Sequence, residues 1–391
     1  MRKTFHLKAL VAAMAMSGAS ATYAIEAASM NLGGMKFTPT LQLTETYDDN
    51  FRASGVNEES TWITTINPSF ELAAQDRLNI YKLTYAFNSD FYHSSSDDNN
   101  TDHHLDADAH MEFSSRSRLD LNAGYDRIES VADTETDGVN DKYHTYNIGG
   151  VFGYGAESAT MQFELGANQQ WLRYDNDNGV NDDLDRDTTS LTGTAFYRVA
   201  PKTRALLELR YSDYDYKLST SDLDSDAVSY LVGVTWDATA KTSGTAKIGY
   251  TDKQFDSAGR EDVSGNVWEI GVNWQPRSYS MISLNTRRSL EEGSQGAEDS
   301  IDTTRYGINW NHAWSNRVST DVSYSFIEED YEYTTANARS DETDEFGLGL
   351  NYNLRRWVDV GVGYKYQDVD STVASENYDR SLYQLKLTMG L

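Results

Sequence analysis

The sequence predicts an all-β fold: a single transmembrane, antiparallel, up-and-down β-barrel of about 18 strands, with 16 as the alternative count. Apolar and polar residues alternate along almost the whole chain, and the connections alternate between short turns and long acidic segments. Proline occurs only four times in 391 residues. This scarcity suits a chain made mostly of sheet, because proline removes a hydrogen-bond donor from the ladder.

The N-terminus has the pattern of a secretory signal peptide. Three basic residues fall within the first eight positions, an apolar stretch covers 9–16, and small residues lead to cleavage after Ala24 or Ala21. The apolar run is too short to span a bilayer as a helix. The expected organisation is a signal peptide (1–24), a short periplasmic N-terminal segment (25–36) and an outer-membrane β-barrel (37–391).

Period-two alternation is the strand signal. In the segment 160–171, Met161, Phe163 and Leu165 lie on one face, and Gln162 and Glu164 lie on the other. About 18 such segments are predicted, centred near residues 41, 66, 85, 109, 123, 148, 165, 193, 209, 232, 249, 270, 284, 308, 322, 349, 362 and 386.

The last eleven residues form one of these strands, and its apolar face includes Leu385, Leu387 and Met389. In a chain with a mean hydropathy of −0.63, this face is expected to contact lipid. Its backbone is expected to pair with the first strand and so leave no open edge. The pattern resembles the signal read by the outer-membrane insertion machinery, although Leu391 stands where Phe is usual.

The connections support a barrel with short periplasmic turns and long acidic extracellular loops. The short turns are expected at 73–77, 114–118, 200–204, 275–278, 314–317 and 354–357. The long acidic loops are expected at 129–142, 173–187, 291–302 and 328–345.

A soluble β-sandwich is the alternative fold. Strands of about ten residues are long enough to cross a bilayer when tilted. Tryptophans near strand ends match interfacial girdles. The face opposite the apolar one carries Asp, Asn, Lys, Arg and Gly, which a sandwich core would exclude and a water-filled lumen would accept. These features favour the barrel.

Three stretches carry a family resemblance: "FTPTLQLTETYDDNFRAS" (37–54), "STWITTINPSFEL" (60–72) and "SSRSRLDLNAGYDR" (114–127). They resemble a family of β-barrel porins associated with exopolysaccharide and capsule gene clusters of Gram-negative bacteria. The resemblance covers essentially the mature chain. It implies an outer-membrane protein that acts as a passive conduit in export of a capsule or biofilm polysaccharide, without catalytic residues.

Composition and motifs argue against other classes. Cysteine is absent, which excludes disulfides and thiolate metal sites. The net charge of −28 argues against nucleic acid as a partner, because phosphates would be repelled. The sequence contains neither HExxH nor GxSxG. We therefore expect no enzyme activity and no cofactor.

Two weak metal candidates remain. The segment "DHHLDADAH" (102–110) could bind a metal through His103, His104 and His110, although a polar strand is the simpler interpretation. The segment "DTETDG" (133–138) begins like a calcium loop, but His144 stands where the bidentate Glu is required.

Strand parity predicts which charged side chains line the lumen. Acids cluster on the fourth and fifth strands and bases on later ones, so a transverse field is expected, although any water-filled barrel needs polar walls. The lumen-lining candidates are Asp106, Asp108, Glu112, Asp120, Asp126, Glu164, Arg198, Glu208, Arg210, Lys247, Glu269, Arg287, Arg305 and Lys365.

Three functions fit these observations: a polysaccharide-export conduit, a general or sugar-uptake porin, and a structural or adhesive barrel. Fold alone does not separate them. The expected partners are outer-membrane lipid and lipopolysaccharide, the insertion machinery and periplasmic polysaccharide-export components. The expected location is the Gram-negative outer membrane, reached after Sec-type export.

Overall fold

Nineteen β-strands make up most of the chain that the computed structural model describes, which is residues 29–131, 140–176, 179–239, 241–293, 298–333 and 338–390. The predicted signal peptide, the calcium-like segment 133–138 and Leu391 lie outside these ranges. Within them, no helix is long and apolar enough to cross a bilayer.

The strands are β1 Met30–Leu32, β2 Met35–Asp48, β3 Thr61–Asp76, β4 Asn79–Tyr92, β5 Asn100–Ser114, β6 Ser117–Ser130, β7 Asp141–Tyr154, β8 Met161–Tyr174, β9 Arg186–Ala200, β10 Thr203–Tyr216, β11 Ser225–Thr239, β12 Thr242–Phe255, β13 Val263–Arg277, β14 Ser280–Glu291, β15 Ser300–Ala313, β16 Val318–Glu332, β17 Arg339–Arg355, β18 Val358–Ser371 and β19 Tyr378–Gly390. Single 3-10 turns lie at Ser96–Asp98, Asp182–Leu184 and Ala374–Glu376.

Strands β2 to β19 form a closed antiparallel barrel of 18 strands, which confirms the predicted fold and count. Each strand pairs with the next, and β19 pairs with β2 through partners such as Leu387 with Leu43. The short β1 pairs with Met35–Phe37 of β2, beyond Thr40, where β19 ends. It therefore covers part of the β2 edge that β19 leaves unpaired.

The predicted strand positions are confirmed, because each of the 18 expected centres falls inside the corresponding barrel strand. The barrel strands are 12 to 17 residues long. About 9–11 tilted residues cross a bilayer, so the strands extend beyond the membrane. The segment 328–345 was expected to be a loop and is mostly strand: β16 continues to Glu332, β17 begins at Arg339, and only 333–338 connect them.

Aromatic side chains are arranged near both ends of the barrel's outer face. Tyr47 packs against Trp62 and Tyr383 near the extracellular ends of their strands. Trp310 packs against Trp314 beside a turn at the opposite end. Aromatic rings at these two levels match the interfacial girdles of membrane barrels. Because both ends of the barrel chain lie on the short-turn side, that side is the periplasmic one by the usual rule.

Candidate functional site

The inner face of the barrel is the surface on which function is to be sought. Leu165, Leu207 and Ile248 are 65%, 62% and 59% exposed on the outer face. Their neighbours of the other parity, Glu208 and Lys247, are 5% and 6% exposed. Strand alternation places these two classes on opposite faces, so the apolar face surrounds the barrel and the polar face lines its interior.

By strand parity, all fourteen lumen-lining candidates lie on the face opposite the exposed apolar residues of their own strands. The register supports the assignment, because side chains of cross-strand partners share a face. Lys247 is opposite Glu269, Glu269 is opposite Arg287, and Arg287 is opposite Arg305.

Four aspartates form what we call the acidic wall: Asp106 and Asp108 on β5, and Asp120 and Asp126 on β6. Two histidines lie among them. His104 Nδ1 is 2.7 Å from Asp126 Oδ1, and His110 Nδ1 is 2.5 Å from Asp120 Oδ1. The neighbouring Glu112 Oε1 is 3.6 Å from His110 Nε2. This part of the inner wall is therefore dense in hydrogen-bond acceptors.

The three-histidine metal hypothesis is wrong. His103 and His104 are consecutive in a strand and therefore face opposite sides of the sheet. His103 Nδ1 lies 2.9 Å from the Tyr85 hydroxyl on the outer face, whereas His104 and His110 point inwards. No group of three His, Asp or Glu side chains in the described part of the chain could hold a metal ion.

A compact charged cluster occupies the inner face between β10 and β13. Arg210 donates from Nε to Glu208 Oε1 at 2.6 Å and from both Nη atoms to Glu269, at 2.5 and 3.0 Å. Lys247 Nζ lies 3.2 Å from Glu208 Oε1 and 2.9 Å from Glu269 Oε2. Thr194 also donates to Glu208. Arg210 on β10 and Glu269 on β13 can reach each other because the sheet curves and brings side chains closer together on its concave side. This contact identifies the face that carries the cluster as the inside of the barrel.

Arg287 on β14 and Arg305 on β15 form what we call the basic wall. Arg305 Nη2 is 3.3 Å from Glu329 Oε1. Nε of Arg287 is shielded from solvent and has no hydrogen-bond partner. Nine steps around the ring of 18 strands separate β5 from β14, so the acidic and basic walls face each other across the lumen. Charges arranged this way produce a transverse field.

The extracellular end is tied together by buried ion pairs whose residues are not among the lumen-lining candidates predicted from the sequence. Lys253 Nζ is 2.7 Å from Glu292 Oε1, and Tyr216 donates its hydroxyl to Glu292 Oε2 at 2.8 Å. These contacts connect β10, β12 and the connection after β14. Lys253 has the same strand parity as Lys247, six residues earlier, which was the available signal.

Arg260 makes a second tie in the connection between β12 and β13. Its guanidinium pairs with Asp222 at 2.8 Å and also with Asp299. Burial acts to lower the pKa of Arg260, but the two carboxylates outweigh this effect and raise that pKa. The cation is therefore held charged, and three extracellular connections are linked through it.

The acids of 328–345 do not all face the mouth of the barrel. They belong mostly to β16 and β17, so successive residues alternate between faces. Glu329 lies close to the inward Arg305, and Ser325 donates to Glu345 on the same face. Glu328 and its cross-strand partner Glu342 lie on the outer face. Only some of the acids in the predicted loop 328–345 can therefore act on ions in the lumen.

A closed barrel of 18 strands with an apolar exterior and a charged interior defines a porin-type outer-membrane barrel. The family model described as "Putative beta-barrel porin 2" matches residues 23–390, and the chain belongs to that family. The resemblance to a β-barrel porin family that is expected from the sequence is confirmed.

Comparison with solved structures found similar chains at low sequence identity. OpdK of Pseudomonas aeruginosa, crystallised with vanillate, is 11% identical, with a TM-score of 0.48 over 91% of this chain and 98% of that one. OccAB4 of Acinetobacter baumannii is 12% identical, with a TM-score of 0.47 over 91% and 98%. The FrpB iron transporter from Neisseria meningitidis is 9% identical, with a TM-score of 0.46 over 90% and 81%. No curated protein matches the chain.

Proposed function

We propose that this porin is a passive outer-membrane conduit for export of an exopolysaccharide or capsule polysaccharide of the biofilm matrix. Barrels of 16–18 strands enclose an aqueous channel, whereas barrels of about eight strands fill with side chains. In the described ranges, the chain is used for wall strands, the short strand β1 and connections that are no longer than the segment 49–60. None of these elements is large enough to serve as a plug domain.

The observation that carries the polysaccharide assignment is an amide-rich surface beside the acidic wall. Asn122 on β6 and Asn168 on β8 are both cross-strand partners of Gly149. A Cβ at Gly149 would lie 2.6 Å from the amide oxygen of Asn168 and 2.8 Å from that of Asn122. The absence of a side chain at Gly149 therefore lets both amides occupy this space. With Asn147 one row away, amides and carboxylates offer donors and acceptors suited to sugar hydroxyls.

Deletion of the gene tests the direction and the cargo together. Surface polysaccharide should fall while sugar-nucleotide pools stay normal, because a passive conduit acts after synthesis. Re-expression of the native chain should restore it. Normal surface polysaccharide combined with slower growth on sugars would instead support the uptake-porin alternative and refute the export proposal.

A matched pair of substitutions tests the amide surface. Asn147→Leu replaces an amide on β7, and Ser323→Leu adds a similar apolar group on β16, nine strands away around the ring. We expect the β7 change to reduce polysaccharide export more strongly in cells that assemble equal amounts of folded barrel. Equal effects of the two variants would show that leucine acts only by narrowing the lumen.

Conduction through planar bilayers tests the channel itself. We expect a pore that prefers cations. Its cation preference should weaken as the salt concentration rises, because salt screens the charges at the mouth, which act within about 10 Å at 0.1 M salt. Neutralising the acids of 328–345 should lower selectivity more than conductance. The inward pair E329Q/E345Q should shift the reversal potential in a KCl gradient more than the outward pair E328Q/E342Q. Anion preference in the native protein would mean that the basic wall sets the field.

A further inference from the structure

The turn between β7 and β8 folds against the periplasmic end of the inner wall. It runs over 155–160 and is the longest of the periplasmic connections that the structure describes completely. Gln162 donates its side-chain amide to the carbonyl of Ala156 at 2.8 Å. Arg198 and Arg204 both donate from Nη2 to the carbonyl of Glu157, Arg204 at 2.5 Å. The turn therefore lies beside two cations at this mouth.

The two arginines are cross-strand neighbours on β9 and β10. Neither forms an ion pair with any carboxylate in the described part of the chain, whereas the nearby Arg118 pairs with Glu164. Nε of Arg198 and Nε of Arg204 are shielded from solvent and have no hydrogen-bond partner. Two guanidinium groups thus share one neutral carbonyl oxygen and leave further donors unused.

The repulsion between these two cations is only partly compensated, because the carboxylates of Glu157 and Glu164 attract Arg204 without forming an ion pair with it. Like charges directly opposite each other on neighbouring strands destabilise a sheet. A guanidinium fork matches the two oxygens of a carboxylate in a bidentate geometry, which a single carbonyl oxygen cannot offer. Holding the turn does not require two cations either, because the neutral amide of Gln162 already holds its neighbour Ala156. A docking oxyanion would provide the missing acceptors and separate the two charges.

We propose that Arg198 and Arg204 form an oxyanion-binding site at the periplasmic mouth, which takes the carboxylate of an acidic sugar unit in the exported chain. The choice of a sugar as carrier of the anion rests on the proposed function. The site would hold a carboxylate at the periplasmic mouth, at the opposite end of the barrel from the acidic extracellular residues that are expected to make conduction of small ions cation-selective. The carboxylate would take the place now held by the carbonyl of Glu157.

Binding of trigalacturonate to the full-length mature protein in detergent, measured by calorimetry, tests this site without requiring conduction. The native protein should bind it, and less tightly as salt rises. R198Q/R204Q should bind about tenfold more weakly or worse, since a hydrogen bond to a charged group contributes about 1.5–3 kcal/mol. The control K202Q/R317Q removes two charges from exposed positions in periplasmic turns and should change affinity less than about twofold.

Other probes and variants define the results that would overturn the inference. If R198Q/R204Q bound trigalacturonate as tightly as the native protein does, the two arginines would not form the site. If neutral maltotriose bound as tightly as trigalacturonate, the site would not recognise a carboxylate. Inorganic phosphate binding as tightly as trigalacturonate would overturn the assignment to an acidic sugar. R198K/R204K keeps the charge and should bind at an intermediate level. Heat-modifiable gel mobility shows that each variant is folded.

The same experiment separates this inference from the proposed function. If polysaccharide export depends on the gene but trigalacturonate binding is unchanged in R198Q/R204Q, only the oxyanion site is refuted. Arginine-dependent binding in a protein whose deletion leaves export normal would refute only the conduit.

Discussion

Glu208→Gln should destabilise the barrel far more than an ordinary surface ion pair would suggest. The side chains of Glu208 and Lys247, taken alone, are 2% and 7% exposed, and their charged atoms are 3.2 Å apart. At an effective dielectric constant of 20, that separation corresponds to a gross Coulomb attraction of about 5 kcal/mol. The desolvation of both ions offsets much of it, so the attraction matters most when one partner is removed.

The expected loss in the free energy of unfolding is about 3 kcal/mol, the lower end for breaking a buried pair. The lower end applies because Lys247 keeps Glu269 at 2.9 Å. Urea unfolding in phospholipid vesicles, followed by tryptophan fluorescence, measures it. In the Glu208→Gln background, Lys247→Met should recover part of the loss, because it removes the poorly compensated ammonium.

Glu329→Gln is the matched control. It neutralises another inward carboxylate that pairs with an arginine, but Arg305 is 42% exposed and the atoms are 3.3 Å apart. Such a pair is expected to contribute about 0–1 kcal/mol. If the two glutamine variants lost the same stability, or if Lys247→Met made the Glu208→Gln protein worse, burial would not be what gives the cluster its strength.

Further predictions concern the orientation, the histidines and one loop. Trypsin added to intact cells should cut at Arg52, in an extracellular connection, and spare Arg116, in a periplasmic turn; the reverse pattern would invert the orientation. His103→Ala and His104→Ala should leave secretion nearly normal, and a loss as complete as gene deletion would require a catalytic or metal role that their opposite orientation argues against. Leu184 is 1% exposed. Its replacement by Ala should cost about 2–5 kcal/mol of local packing free energy and speed proteolysis at 175–185, while the gel mobility of the folded barrel stays unchanged. An unchanged cleavage rate would refute this prediction.

The strand positions could be predicted because period two and the inside–outside pattern are properties of neighbouring residues. In β8, the alternation of Phe163 with Glu164 is enough to define both faces. The inward orientation of Arg287 follows in the same way, since one correct residue fixes the parity of the whole strand. The local sequence pattern is therefore sufficient to predict which residues form the inner wall of the barrel.

The remaining contacts depend on distances that local pattern does not contain. The pairing of Arg210 on β10 with Glu269 on β13 crosses two intervening strands. The pairing of Lys253 with Glu292 depends on how a connection folds. Acidity suggested a loop at 328–345, but the ladder between β16 and β17 continues well above the membrane. Strand identity there is decided by backbone pairing, which tolerates charged residues on solvated faces.

The junction of β19 with β2 makes closure of the barrel depend on the presence of both its first and its last strand. Arg380 on β19 donates from Nε to Asp48 of β2 at 2.9 and 3.0 Å, and Asp48 is fully buried. These residues are 332 positions apart, so no earlier part of the chain can form the contact. A nascent or clipped chain would keep both edges open and leave Asp48 without its cation. Only a chain that carries both β2 and β19 can close the ring.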